Sequence, residues 1–263
     1  MKITFIGAGN MSEAIVAGVI RRGVLAADAI TVSDPLEERR VYMEATYGVA
    51  AVASNREAVA GATCVVLAVK PQLFEAVWEE LREAVSGDTL VLSIMAGIAA
   101  HRMEGADGFR VVRVMPNTPS LVGRGAAGIA AGALATEEDL CWAETLMQAV
   151  GVSVRVEEDQ LHAVTALSGS GPAYLFLLME AMMGAAVELG LGEEEARLLC
   201  VETVGGAADL MADSTCSAAT LRERVTSKGG TTAAAIGTFQ QQRFEELVGV
   251  AMRSAYDRSR ELA

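Results

Sequence analysis

The stretch "FIGAGNMSEAI" (residues 5–15) decides the fold. A short β-rich run ends in glycine and passes at once into residues with helical spacing. Gly7-Ala8-Gly9-Asn10-Met11-Ser12 fits the pattern G-x-G-x-x-G/A, with Ser12 in the last, small position. Gly7 permits the tight turn. Gly9 lets a pyrophosphate approach backbone N–H groups at a helix N-terminus, where the dipole favours negative charge. The same glycines could make a turn that binds nothing. Their place at the first strand–helix junction of an alternating chain favours the dinucleotide reading.

The alternation runs outward from there. "AITVSD" (29–34) reads as a second strand and "LEERRVYMEATYG" (36–48) as a helix closing on glycine. "VAAVAS" (49–54) is a third short strand. "CVVLAV" (64–69), "TLVLSIMAG" (89–97) and "RVVRVMPN" (110–117) are the near-continuous apolar runs of strands buried on both faces. "GIAAG" (128–132) and "SVRV" (153–156) add late strands at the edge. Strands separated by helices predict a parallel, doubly wound Rossmann-type sheet with right-handed crossovers. After about residue 157 every segment has helical spacing. The sequence therefore divides into a dinucleotide-binding α/β domain over 1–157 and an all-α domain over 158–263.

Composition narrows the function classes. The 263 residues are 52% hydrophobic, enough for a sizeable core and suggestive of buried subunit contacts. A net charge of −13 argues against a nucleic-acid or anionic-membrane surface. Cys64, Cys141, Cys200 and Cys216 are scattered, as in a reducing compartment. His101 and His162 lack ligand-spaced partners, so no metal site is expected. The first residues run straight into a strand, which reads as a cytoplasmic chain without a signal peptide. The apolar helix over 174–189 carries Glu180 and Glu188, and reads as a packed core helix rather than a membrane span.

Further motifs follow the strands. Asp34 ends the second one, where an acidic residue can hydrogen-bond a ribose 2′-OH and disfavour a 2′-phosphate. It can equally cap the next helix, with Pro35 at the first helical position. Arg39 and Arg40 follow closely, and an arginine there can accept a 2′-phosphate. "AVKPQ" (68–72) and "MPNTP" (115–119) each leave a buried strand at the sheet edge where ligands sit. Each could be only a rigid turn; two at one edge favour a role along the nicotinamide. "ALSGSGPAY" (166–174) breaks a helix with small residues, for close packing or to make room for a small ligand. In "VTSKGGTT" (225–232), successive glycines permit a backbone nest for an anion, with two threonine hydroxyls and Lys228 beside it. Ser227 alone would suffice for an ordinary helix cap, so the two glycines favour a carboxylate site.

Taken in order, "GAGNM", "AVKPQ", "MPNTP", "SGSGPAY" and "TSKGGTT" resemble the pyrroline-5-carboxylate reductase family across nearly the whole chain. The resemblance implies reduction of the cyclic imine Δ1-pyrroline-5-carboxylate to L-proline with NADPH or NADH, the last step of proline biosynthesis. It implies a homodimer interlocked through the helical domain, with dimers assembling into a larger ring. By position, it gives Gly9, Asn10 and Met11 to the pyrophosphate and Asn55 to the adenosine ribose; the turn and strand-end readings add Gly7 and Asp34 to the cofactor residues. Ala68, Val69, Lys70 and Asn117 fall along the nicotinamide. Ser227, Gly230 and Thr231 fall to the substrate carboxylate, with Gly229 added by the reading of successive glycines, and Thr232 falls to the ring nitrogen as the catalytic hydroxyl. Lys228 stands where many relatives have proline.

Two other classes share the plan: a 3-hydroxyacid dehydrogenase or other imine reductase, and a non-catalytic dinucleotide sensor. The hydroxyacid enzymes use a lysine on a C-terminal helix. Here Lys2, Lys70 and Lys228 are the only lysines, and the last reads as a loop residue.

Overall fold

The computed structural model describes residues 1–104 and 108–262. The chain divides into two compact units, Met1–Pro172 with Ser254–Ala263, and Ala173–Arg253. The sheet domain read from the sequence ends at 157, where the strands end. The first compact unit runs further and takes back the end of the last helix.

In the first unit the strands are β1 (Ile3–Ile6), β2 (Ile30–Ser33), β3 (Ala50–Val52), β4 (Cys64–Leu67), β5 (Leu90–Ser93), β6 (Arg110–Met115), β7 (Gly125–Ala131) and β8 (Gly151–Arg155). They lie in the order β3-β2-β1-β4-β5-β6-β7-β8. This is a doubly wound Rossmann-type sheet, and the order reverses beside β1. Alternate side chains feed opposite cores, as the pleat requires. Phe5, Val66 and Leu92 face one cluster, and Ile6, Val65 and Val91 the other.

Helices cover both faces: α1 (Asn10–Arg21), α2 (Glu37–Tyr47), α3 (Asn55–Ala58), α4 (Phe74–Arg82), α5 (His101–Glu104) and α6 (Glu137–Gln148). Ile15, Val19 and Leu146 close the first core; Phe74, Trp78 and Leu81 close the second. α1 stops at Gly23, whose φ of +68° lets Gly23 N–H reach Ile20 O and Val24 N–H reach Val19 O. Those two bonds satisfy carbonyls that the helix end would otherwise leave unpaired.

One pairing departs from the all-parallel expectation: β7 runs antiparallel to β6. The turn Thr118–Val122 and Gly123, at φ +73°, reverse the chain immediately after β6. β7 and β8 are again parallel, joined through α6.

The helical half comprises α7 (Leu161–Val164), α8 (Gly171–Glu188), α9 (Glu193–Ala212), α10 (Ala218–Arg224), α11 (Thr231–Gln241) and α12 (Phe244–Glu261). Two sequence expectations are corrected here. The small-residue stretch 168–171 interrupts the helix by no more than a bend at Ser170. A π-turn over Thr165–Gly169 carries it from α7 towards α8, with Ser170 N–H on Thr165 O and Ser168 Oγ on Val164 O. Wide turns of this kind insert one residue without ending the helix. Nor is α8 a packed core helix: none of its residues is buried. The run Glu158–Glu188 is long and apolar enough to cross a bilayer by length and composition; Leu161, His162 and Ala166 near its start are buried, while its α8 part lies uncovered in the single chain.

Candidate active site

The parallel strands β1, β2, β4, β5 and β6 all end at one edge. Gly7 leaves β1 there with φ +97°, and a Cβ on it would stand 2.9 Å from Ala68 O. Gly7 is therefore required twice, by backbone conformation and by the approach of the 68–70 segment. Ser12 Oγ donates to Gly7 O at 2.6 Å, locking the helix start under the turn. Gly9 differs. It is the N-cap of α1 with φ −72°, no side chain caps the helix, and a Cβ would meet nothing within 4 Å. Folding places no demand for glycine at this position. The uncapped N–H groups of Asn10 and Met11 begin α1 beside open space, which fits an anion.

Asp34 is drawn into the same turn. Its Oδ2 accepts from Ala8 N–H at 2.9 Å and its Oδ1 from Leu36 N–H at 3.0 Å. The cap expectation needs one correction. α2 begins at Glu37 with Leu36 as its N-cap, so Pro35 lies before the helix. Asp34 closes a two-residue turn ahead of the helix rather than capping it. Asn55 stands behind this edge, accepting from Ser33 Oγ at 2.6 Å and donating to Glu80 Oε2 at 2.9 Å. Ala68 and Val69 abut Gly7, while Lys70 is exposed at the start of the next turn. Asn117 follows β6 and is spoken for: it donates to Ser168 O at 3.0 Å and accepts from Ala126 N–H at 2.9 Å. It thereby ties the strand end to the π-turn.

The sequence offered Arg39 and Arg40 only as candidate 2′-phosphate acceptors, and gave no signal for the contacts they make or for Glu13, Tyr42 and Tyr47. Arg39 Nε and Nη2 both donate to Ala8 O, at 2.9 and 2.6 Å, and Nη2 also reaches Glu13 Oε2 at 2.8 Å. Tyr42 and Tyr47 donate to the other Glu13 oxygen, at 2.9 and 3.0 Å. Burial works upward on the Glu13 carboxyl, but the bonds from Arg39, Tyr42 and Tyr47 and the arginine's charge outweigh it and hold the group below its ordinary 4.5. Arg40 Nη1 donates to Asp34 O and Pro35 O, at 2.8 and 2.9 Å. These contacts join residues more than 25 positions apart or within an irregular turn, so no local pattern announces them.

In the second unit, Gly229 has φ +74°, and Gly230 N–H turns back to Ser227 O at 3.0 Å. Gly230 is the N-cap of α11, and no side chain caps that helix either. Ser227 is thus not the ordinary cap it could have been; its hydroxyl lies where a Cβ on Gly230 would go. Thr231 and Thr232 open α11, the first exposed and the second half-buried. Lys228 is exposed beside them.

Both helix starts therefore present uncapped amides with glycine at the cap, one in each unit. The pyrroline-5-carboxylate reductase of Pseudomonas aeruginosa is 46% identical over 265 residues, covering 100% of this chain and 97% of its own. The chain belongs to the pyrroline-5-carboxylate reductase family. Residues 158–262 match the family described as pyrroline-5-carboxylate reductase dimerisation, and residues 2–97 the one described as NADP oxidoreductase, coenzyme F420-dependent. A solved pyrroline-5-carboxylate reductase from Coxiella burnetii is 41% identical with a TM-score of 0.93, covering 100% of this chain and 98% of its own. The pyrroline carboxylate reductase of Plasmodium falciparum, solved with NADP bound, is 26% identical with a TM-score of 0.90 and the same coverage. Membership in the reductase family accounts for the uncovered apolar helices, because the dimerisation match spans them.

Proposed function

We propose that this chain reduces Δ1-pyrroline-5-carboxylate to L-proline, the last step of proline biosynthesis, with NADPH or NADH as hydride donor. The observation that carries the proposal is the full-length 46% identity to the Pseudomonas aeruginosa reductase. The five motifs, each at a strand end or helix start, support it.

The residues present suit a dinucleotide. The open space over Gly9 and the uncapped start of α1 suit its pyrophosphate, held by Gly7, Gly9, Asn10 and Met11. Asp34 and Asn55 are assigned to the adenosine side, and Ala68, Val69, Lys70 and Asn117 to the nicotinamide side. When bound, the dinucleotide supplies the hydride. The chain's own task is position and electrostatics. Gly229, Gly230 and Thr231, with Ser227, hold the substrate carboxylate at the start of α11. The Thr232 hydroxyl orients the ring nitrogen. A threonine is too weak an acid to drive protonation, so the nitrogen takes its proton with the substrate or from water. Holding donor and acceptor in line contributes several kcal/mol, up to about 7–11 in ideal cases.

The helical dimerisation and substrate-binding domain is taken from residue 158 onward. The homodimer is the functional unit, and dimers join in a larger ring. The acidic chain with free cysteines is read as a cytoplasmic enzyme. The test is purified protein with NADPH or NADH and pyrroline-5-carboxylate. Proline should appear in step with dinucleotide oxidation, and 3-hydroxyacids should give no reverse reaction. Dinucleotide binding without turnover would favour a sensor instead.

A further inference from the structure

The sequence leaves Arg39 open to a role as acceptor of a 2′-phosphate. Its contacts point elsewhere. Nε and Nη2 close on one carbonyl, Ala8 O, at 2.9 and 2.6 Å, and Nη2 also binds Glu13 at 2.8 Å. The guanidinium lies over the Tyr42 ring, 5.0 Å from its centroid. We propose that Arg39 is a positioning residue for the dinucleotide pyrophosphate, aiming the Gly9 N–H at it and cancelling the charge of Glu13. The inference rests on the reading of the glycine turn as the pyrophosphate site.

Ala8 C=O and Gly9 N–H belong to one trans peptide, so they point in opposite directions. An arginine gripping the carbonyl from behind sets the direction of the amide in front. Asp34 holds the preceding peptide by its Ala8 N–H at 2.9 Å. The two peptides of the turn are thus fixed by charges of opposite sign, one on each side.

Charge supplies the second half. Glu13 lies in the first turn of α1, and its own N–H bonds Gly9 O at 3.0 Å. An uncompensated carboxylate so near the helix start would repel a pyrophosphate. Arg39 and the hydroxyls of Tyr42 and Tyr47 take up both its oxygens. Arg40 makes the contrast: its Nη1 lies on the Asp34 and Pro35 carbonyls rather than on the glycine turn.

The experiment measures Kd for NADPH and NADH separately, by calorimetry, on wild type, Arg39→Met, Arg39→Lys and Arg39→Met/Glu13→Gln. Arg39→Met should weaken both dinucleotides about tenfold, the scale of one charge-assisted hydrogen bond, with their ratio within about twofold of wild type. Arg39→Lys keeps the charge and loses the fork, so it should weaken both less, again equally. It also stands in should the methionine variant fold poorly. Adding Glu13→Gln to Arg39→Met should recover part of the loss, which a merely structural arginine would not show. A loss confined to NADPH in either single variant would make Arg39 a 2′-phosphate ligand and overturn the proposal. Unchanged Kd values, or no recovery in the double variant, would overturn it too. Wild-type protein that binds neither dinucleotide would instead sink the reductase reading itself.

Discussion

The sheet unit and the helical unit treat apolar residues in opposite ways. In the first, Phe5, Ile6, Val65 and Leu92 are wholly enclosed between the sheet and its helices. In the second, among residues 173–253, only Ala196 and Cys200 are buried hydrophobics, while Phe176, Leu177 and Leu210 are each about two-thirds exposed. α8 and α12 even leave an apolar groove of ≈ 510 Å³ between them, lined by Leu177, Phe244 and Leu247 among others. The helices themselves are well formed, so this is not a failure to fold. Each Leu or Phe removed from water contributes about 1.5–3 kcal/mol. A handful of them outweighs an association cost of roughly 4–15 kcal/mol. The sheet unit is complete in one chain; the helical unit is half of a core, and the family's dimerisation match says that a second copy supplies the rest.

The largest effect that could break this comparison comes from two similarly exposed residues. Leu177→Asp, on α8, should put an unpaired carboxylate into the dimer interface at several kcal/mol, and light scattering should show monomers at micromolar concentration. Val41→Asp lies on α2 of the sheet unit at 56% exposure, and should leave mass and Tm within the roughly ±0.5 kcal/mol of ordinary surface changes. A Leu177→Asp protein as dimeric as wild type would refute the half-core account.

A middle-sized effect separates the glycines of the sheet unit. Gly7→Ala forces a positive φ and a close approach to Ala68 O, so it should cost about 1–3 kcal/mol and lower Tm of the ligand-free protein. Gly9→Ala meets open space at an ordinary φ, so Tm should hold while dinucleotide affinity falls. Equal Tm losses would mean that Gly9 is structural.

The smallest effect is in the acid limb. Glu13 titrates below its ordinary 4.5 when folded. A depressed carboxyl contributes stability that is present above the unfolded value and lost as pH falls through the folded one. Glu13→Gln should therefore flatten the decline in stability below about pH 4.5. An unchanged acid limb would show that the Arg39–Tyr42–Tyr47 cluster contributes nothing there.

Much of this was legible in the sequence because its signals are local. Gly7 to Ser12 declares its turn within six residues, and "CVVLAV" shows its two-sided burial by composition alone. Gly229 and Gly230 likewise announce a turn ahead of α11 without outside help. The rest depends on what the chain meets later. An apolar helix reads the same whether its cover is its own sheet or a second copy, so α8 reads as core until its neighbours are known. Small residues suit a helix break and a π-turn equally, and only the backbone bond from Ser170 N–H to Thr165 O shows which was built. The reversal of β7 rests on a turn whose glycine also suits a parallel crossover. Arg39 stands 31 residues from the carbonyl it grips, beyond any spacing rule.

The dinucleotide is assigned to the start of α1 and the substrate carboxylate to the start of α11. Gly230→Ala tests that division most directly, because a Cβ there displaces the Ser227 hydroxyl at an ordinary φ of −83°. Steady-state kinetics should show KM for pyrroline-5-carboxylate rising about tenfold or more, the scale of one lost charge-assisted bond, with KM for the dinucleotide within about twofold. Equal rises in both, or a rise in the dinucleotide's alone, would contradict it.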